Sequence, residues 1–462
     1  MCPREGIDYF EFRAHMSIRE RLWNADVKLF ASESWSVSWP MTLIMFFEFL
    51  TGLADIYIAG RVGKEIQASY GFIIQVYFVL IIVGNALTVG SVSVISRLFT
   101  GDTRNGLTEA IYSTLVLSAV AGCALGWAGI FLTGSIINIV NIPSELKPLA
   151  APLGRIYAAG LFFHYILIQT NGILRGCKKV KSSLKTMAFV FLCNIGLAFF
   201  LVFETSLGYR GIALATAISV CAGSLVNTHK VWGLMDGTKR FSKAIAKSVI
   251  SIGWPSGLTQ ILWQAQSMAI FLILSSLPGD GVEILAALSA GLRIESAIFL
   301  PAFAFNMANA VIVGNLLGAN MKDKAFRGGA VTALLGVPIV MFLTLVVIFN
   351  ARWIAPFLSN NDIVVTETVR YLYIAMLSEP FMAWAVILGG GLIGAGDTRG
   401  VMVLMGISLW LVRVPLCYAF VVILGFGVTS VWWTMNLSQF VMACLITKRY
   451  FDRRWLMLRP VV

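Results

Sequence analysis

The stretch from Trp39 to Gly63 reads WPMTLIMFFEFLTGLADIYIAGRVG. It is long and apolar enough to cross a bilayer, which takes about 20 residues as a helix. It nevertheless carries two acids, Glu48 and Asp55, inside the apolar run. Runs of the same kind recur along the whole chain. Twelve spans are predicted near 36–60, 68–97, 107–134, 149–174, 184–204, 210–233, 246–276, 284–314, 328–350, 370–395, 401–424 and 427–447. Twelve such spans use roughly 240 residues, so a chain of 462 has short loops and no room for a large soluble domain. Composition agrees: 58% of residues are hydrophobic and only 13% charged, about half the usual charged share, and mean hydropathy is +0.82. Disordered, collagenous and disulfide-scaffold classes are excluded. Pro40, Pro255, Pro301, Pro338, Pro380 and Pro415 fall inside spans, where neighbouring helices can satisfy the freed backbone groups.

The net charge of +12 comes from loop charge rather than from nucleic-acid binding. With both termini inside the cell, 26 of the 35 Lys and Arg fall on cytoplasmic segments and seven outside; Arg293 and Arg413 lie within spans. That asymmetry orients the chain N-in and C-in. Eleven charges among the first 34 residues, with no apolar h-region, are not the pattern of a signal peptide. The segment is a solvated leader or an interfacial helix using Ile18, Leu22 and Phe30. The seven cysteines form no CxxC pair, and His15, His164 and His229 make no metal pattern.

A shift of about 217 residues superimposes the halves: Pro40 near Pro255, Gly101 on Gly318, Gly208 on Gly425, and ILRGCKK at 173–179 beside LIGAGDT at 392–398. Six spans per half is even, so the repeats share one topology, with a site expected between them. The expected organisation is a cytoplasmic tail (1–34), an N-lobe (35–234), a linker (235–245), a C-lobe (246–448) and a cytoplasmic tail (449–462).

No phosphate loop powers this chain: GRVGKE at 60–65 has the wrong spacing, and GAGDTR at 394–399 comes after an apolar helix. Ionisable residues at depth are then the candidates for energy coupling. Four acids qualify: Glu48, Asp55, Glu295 and Glu379. Asp55 has only small and apolar neighbours in sequence, and Glu48 stands two helical turns earlier on the same face. Glu48 could instead pair with a basic group of another helix. Glu295 lies two residues after Arg293, so the two do not face each other, and Glu379 is placed to meet Arg413. Asn171, Asn194 and Thr216 supply amide and hydroxyl oxygens at depth, for a cation site, a proton network or ordinary interhelical bonding.

The chain resembles multidrug and toxic compound extrusion (MATE) transporters over nearly its whole length. The resemblance rests on WPMTLIMFFEFLTGLADIYIAGRVG in the first span, TNGILRG closing the fourth, FLPAFAFNMANAVIVGNLLGAN in the eighth, LIGAGDTR ending the tenth and LWLVRVP in the eleventh. It implies an all-α fold of twelve helices in two six-helix lobes forming a V, and drug efflux in exchange for H⁺ or Na⁺. The nearest branch is the DNA-damage-inducible type, with an essential first-span Asp that Asp55 matches. Asn171, Asn194 and Thr216 match that branch's network, while its second Asp, four residues after the fifth-span Asn, is Ala198 here. That departure favours protons. The seventh-span Glu of the branch with a C-lobe cation site is Gln264 here, and its tenth-span Asp falls near Met382.

The expected function is secondary active export of cationic or amphiphilic compounds, with H⁺ as coupling ion, Na⁺ as the alternative and no cofactor. Coupling is assigned to Asp55, Asn171, Asn194, Thr216 and Glu48. Trp35, Trp39, Phe46, Phe47, Trp254 and Trp263 are candidate substrate walls, because aromatic faces suit organic cations, with Gln264 and Glu379 as polar candidates beside them. The expected setting is the inner (plasma) membrane, as a monomer, with small organic molecules and the bilayer as partners. The rival is a lipid-linked precursor flippase of the same superfamily, which would need a strongly cationic cavity; only Arg293 and Arg413 are intramembrane cations. A membrane scaffold would need neither buried acids nor a duplicated fold.

Overall fold

The computed structural model describes residues 8–101, 104–140, 142–276 and 281–458, with side chains from Asp26 onward apart from Arg104. Ile18 and Leu22 therefore lie outside the described side chains. Twelve long helices succeed one another: α1 (Asp8–Val62), α2 (Lys64–Thr100), α3 (Arg104–Val140), α4 (Lys147–Gly176), α5 (Val180–Phe203), α6 (Arg210–Trp232), α7 (Lys243–Ser275), α8 (Gly281–Gly318), α9 (Lys322–Leu358), α10 (Asp362–Gly394), α11 (Thr398–Ile423) and α12 (Thr429–Phe451). Among the described residues α1 to α11 are long and apolar enough to cross a membrane. The more polar α12, with Ser430, Thr434, Asn436, Ser438 and Gln439, packs against α10 and α11. Each predicted span corresponds to one of these helices, and no strand occurs among the described residues. A backbone that bonds within itself is what a bilayer demands.

Proline shapes two helices where chemistry is concentrated. Pro380 lacks an N–H, and the ladder of α10 tightens into a short 3₁₀ turn over Met376–Ser378 just before Glu379. Before Pro415, α11 widens into π-type turns over Ile407–Arg413. A π-turn inserts a residue into the helical register and re-aims the side chains beyond it. Arg413 stands at the end of that segment and is buried.

Helices α1 to α6 pack mainly among themselves, as do α7 to α12; the halves meet where α1 and α2 cross α7, α8 and α9. The bonds joining them cluster at the face that carries the chain termini. Ser34 and Thr332 share a hydrogen bond of 2.7 Å. Thr100 Oγ1 donates to the Asn315 carbonyl (2.6 Å), Asn315 Nδ2 to the Gly176 carbonyl (3.3 Å), and Ser93 Oγ to the Gly394 carbonyl (3.2 Å). Arg97 donates to the Ala395 carbonyl. Phe30 is buried against Gly328 of α9. Within GAGDTR, Gly396 turns at φ +82°, and Asp397 accepts a two-pronged bond from Arg449 at 2.8 and 3.0 Å.

Candidate functional site

Two polar clusters lie inside the helical halves. In the first, α1 presents Asp55, which is only 3% exposed. Its Oδ2 accepts from Tyr70 Oη of α2 at 3.3 Å and, at the limit of a hydrogen bond, from Thr216 Oγ1 of α6 at 3.5 Å. Asn194 Nδ2 of α5 donates to Thr216 Oγ1 at 3.0 Å. Asp55 Oδ1, Asn194 Oδ1 and the Tyr157 hydroxyl have no partner with good geometry, although Tyr157 stands against Tyr70, ring centroids 6.4 Å apart. No Lys, Arg or His belongs to this set. A buried ionised carboxylate needs a positive partner, so the arrangement can take up one proton or one cation and release it.

Phenols and an imidazole continue from this site. The Tyr157 ring lies 5.0 Å from that of Tyr77, whose hydroxyl is 2.6 Å from His164 Nδ1. Tyr70, Tyr77, Tyr157 and His164 are site residues that the sequence did not single out for coupling. Their signal was hydroxyls at depth, with Tyr70 and Tyr77 seven residues apart on one face of α2.

Of the expected network, the structure brings together Asp55, Asn194 and Thr216. It does not bring Asn171 there. Asn171 Oδ1 accepts from Ser183 (2.6 Å) and Asn227 (2.7 Å), and its amide nitrogen faces the Met187 sulfur. The reason is depth: Asn171 is five residues from the terminus-face end of α4, and Asn194 fourteen from the start of α5, which separates them by roughly 13 Å along the helices. Glu48 also stays out of the network. It is exposed, and the charge acting on it is Arg175, whose Nη1 reaches Met307 of the other half at 2.8 Å. Ala198, fully buried, packs in the same apolar cluster as Ile58 and Ala59.

The second cluster joins α7, α8, α10, α11 and α12. Tyr371 Oη donates to Glu295 Oε2 at 2.5 Å. Glu379 lies close enough for the two carboxyls to interact, with neither of its oxygens in a well-formed hydrogen bond. Arg413 donates to Ser438 Oγ at 2.7 Å and reaches Gln266 Oε1 at 3.5 Å, and its charge acts on both acids. The expected meeting of Glu379 with Arg413 is therefore electrostatic, and Glu295 shares it. One guanidinium serves two carboxyls, so the cluster is neutral only when it holds one further proton. Arg293, by contrast, is exposed.

The aromatic candidates are scattered. Phe47 stacks on Phe191 of α5 at 5.1 Å and Trp263 meets Phe299 of α8 at 6.2 Å. Val37, Met41 and Ile44 share an apolar cluster with Ala304 and Ala308 of α8; Trp35, Trp39 and Phe46 fall on the opposite side of α1 by helical phase. Trp254 lies under Arg399, 5.7 Å from its guanidinium, in a pocket outside both clusters. Gln264 is exposed.

A sequence model of the MatE family matches this chain twice, over residues 40–200 and 255–419. The chain belongs to the MatE family. The two matches begin on Pro40 and Pro255 and repeat the internal duplication read from the sequence. Membership makes it a multi-pass membrane transporter and not an enzyme. Among its relatives is a probable multidrug resistance protein NorM of Thermotoga maritima, 24% identical over 401 residues, covering 83% of this chain and 84% of that one. Another is the uncharacterized transporter YisQ of Bacillus subtilis, 21% identical over 432 residues (91% and 94%). Among solved structures, a MATE protein in complex with MaL6 superimposes with a TM-score of 0.86 at 21% identity, covering 93% of this chain and 99% of that one. An outward-facing multidrug resistance MATE family transporter superimposes with 0.85 at 20% identity (92% and 97%). At these identities the likeness is one of fold.

Proposed function

We propose that this MatE protein is a secondary active exporter of cationic or amphiphilic organic compounds, driven by protons returning through Asp55. The observation that carries the reading is a buried carboxylate whose hydrogen-bond partners are neutral hydroxyls and whose second oxygen has none. Ala198 supports the proton over a larger ion, because a methyl stands where a second carboxylate would help to hold a cation. Proton uptake would change which hydroxyls Asp55 can hold, and with that the packing of α1 on α2 and α6. The charge asymmetry of the loops supports termini on the cytoplasmic side of the plasma membrane. The halves are joined at that face, so the conformation is read as outward-facing. The multidrug names of the NorM relatives support the substrate class.

One observation favours Na⁺ instead: Asp55 Oδ1, Asn194 Oδ1 and the Tyr157 hydroxyl are buried oxygens without a well-formed hydrogen bond, on residues that meet around Thr216 and Tyr70. The experiment is efflux of a fluorescent cationic dye from proteoliposomes. A pH gradient in Na⁺-free medium should drive it, and Asp55→Asn should abolish it while the protein remains folded. Movement only under a Na⁺ gradient at uniform pH would replace the proton by Na⁺. Full gradient-driven efflux by Asp55→Asn would remove Asp55 from coupling altogether.

A further inference from the structure

An open pocket of about 480 Å³ lies at the start of α7, against the start of α11. Three cations line it, Lys243, Lys247 and Arg399, together with the apolar Phe241, Ile250 and Trp254. No carboxylate lines it, and none of the three cations forms an ion pair among the described residues. Asp397, two residues before Arg399, is taken by Arg449. Like charges gathered this way repel one another and are held together only by the fold.

The order along α7 is amphipathic. Lys243, Lys247, Ile250 and Trp254 stand at i, i+4, i+7 and i+11, one stripe of the helix. The cations occupy its first turns, at the terminus-bearing face. Ile250 and Trp254 lie deeper, 46% and 44% exposed, with the Arg399 guanidinium 5.7 Å above the Trp254 ring. The backbone of α7 that touches the other half lies elsewhere: Val249 and Gly253 meet α2 roughly a third of a turn round the helix from this stripe. Lys243, Lys247, Ile250 and Trp254 are all exposed, so the stripe faces outward beside the contact between the halves. Lys and Arg at a helix end bury their stems and lift their charges to the membrane interface, and basic pockets between transmembrane helices suit anionic headgroups.

We propose that this pocket binds one anionic phospholipid, its phosphate held by Lys243, Lys247 and Arg399 and its acyl chain lying along Ile250 and Trp254. Charge complementarity selects the headgroup, and the apolar lower half selects a lipid over a soluble anion. The site is independent of the coupling reading, since it touches neither acid cluster.

The test is native mass spectrometry of the purified full chain with phosphatidylglycerol or with phosphatidylcholine of the same acyl chains. Phosphatidylglycerol should be retained in preference. Each charge removed should weaken retention about fivefold, so Lys243→Gln, Lys247→Gln and Arg399→Gln combined should lower it well beyond tenfold. A charge-matched control, Lys179→Gln with Lys181→Gln and Lys185→Gln at the start of α5, should retain the lipid as the parent does. Equal loss in that control, or unchanged retention in the pocket variant, overturns the proposal. Displacement of the lipid by inorganic phosphate at matched concentration would show a simple anion site and overturn it as well. Melting temperatures taken in parallel, with the single variant Lys247→Glu as a second probe, separate lost binding from lost folding.

Discussion

Closure at the terminus-bearing face depends on how closely α2 approaches α7. A Cβ placed on Gly90 would lie 2.1 Å from the carbonyl oxygen of Val249, and one on Gly253 would lie 2.3 Å from that of Ala86. Both obstacles are backbone atoms, which cannot rotate aside. A comfortable carbon–oxygen contact is about 3.3 Å, so Gly90→Ala has to part the helices by roughly 1.2 Å there. Overpacking of this kind costs about 1–3 kcal/mol, and 2 kcal/mol is about a thirtyfold change in an equilibrium. The cost falls on the closed arrangement alone, because the two backbones are together only there. Gly90→Ala and Gly253→Ala should therefore populate a state opened at this face. Spin labels at Lys181→Cys in α5 and Lys324→Cys in α9, both exposed on this face in different halves, report the separation by double electron–electron resonance. The background carries serine for Cys2, Cys123, Cys193, Cys221 and Cys444. Cys177 and Cys417 are buried, and burial pushes the Cys177 thiol up to about 12, so at neutral pH it stays protonated and unlabelled. Gly71→Ala, in the same helix with open space around it, is the control. Distance distributions in Gly90→Ala and Gly253→Ala that match the parent would show that this contact does not hold the face closed.

Two further outcomes concern the C-terminal half. Arg413→Met leaves Glu295 and Glu379 buried without their guanidinium, and should destabilise the protein by about 3–5 kcal/mol, read as a lowered melting temperature in detergent; adding Glu379→Gln should recover part of the loss, and no recovery would mean that the two do not share one charge balance. Gln264→Ala, by contrast, removes an exposed group that cannot carry a charge, and dye efflux should stay near the parental rate; a folded, dye-binding variant that no longer transports would give Gln264 a role in coupling.

Hydropathy is a local property, and it decided the helices before any contact was known: a run such as Trp39–Gly63 has to become a membrane helix whatever surrounds it. The duplication was legible for the same reason, since a common offset needs only residue identities. Asp55 could be singled out because an acid in an apolar run is costly wherever the run goes. Its partners could not be read. Tyr70 is 15 residues away, Thr216 is 161 and Tyr157 is 102, and which of them face Asp55 depends on how α2, α4 and α6 are rotated about their axes. Asn171 shows the converse, a residue of the right type in the right helix held roughly 13 Å from the place expected for it. Arg413 is turned inward by the π-type turns before Pro415, a register change that an ideal helical projection omits. The basic pocket needs Lys243 and Arg399 side by side, although 156 residues separate them. Spacing along a helix fixes which residues share its face; the rotation and crossing of neighbouring helices fix what that face meets, and only the packed structure contains them.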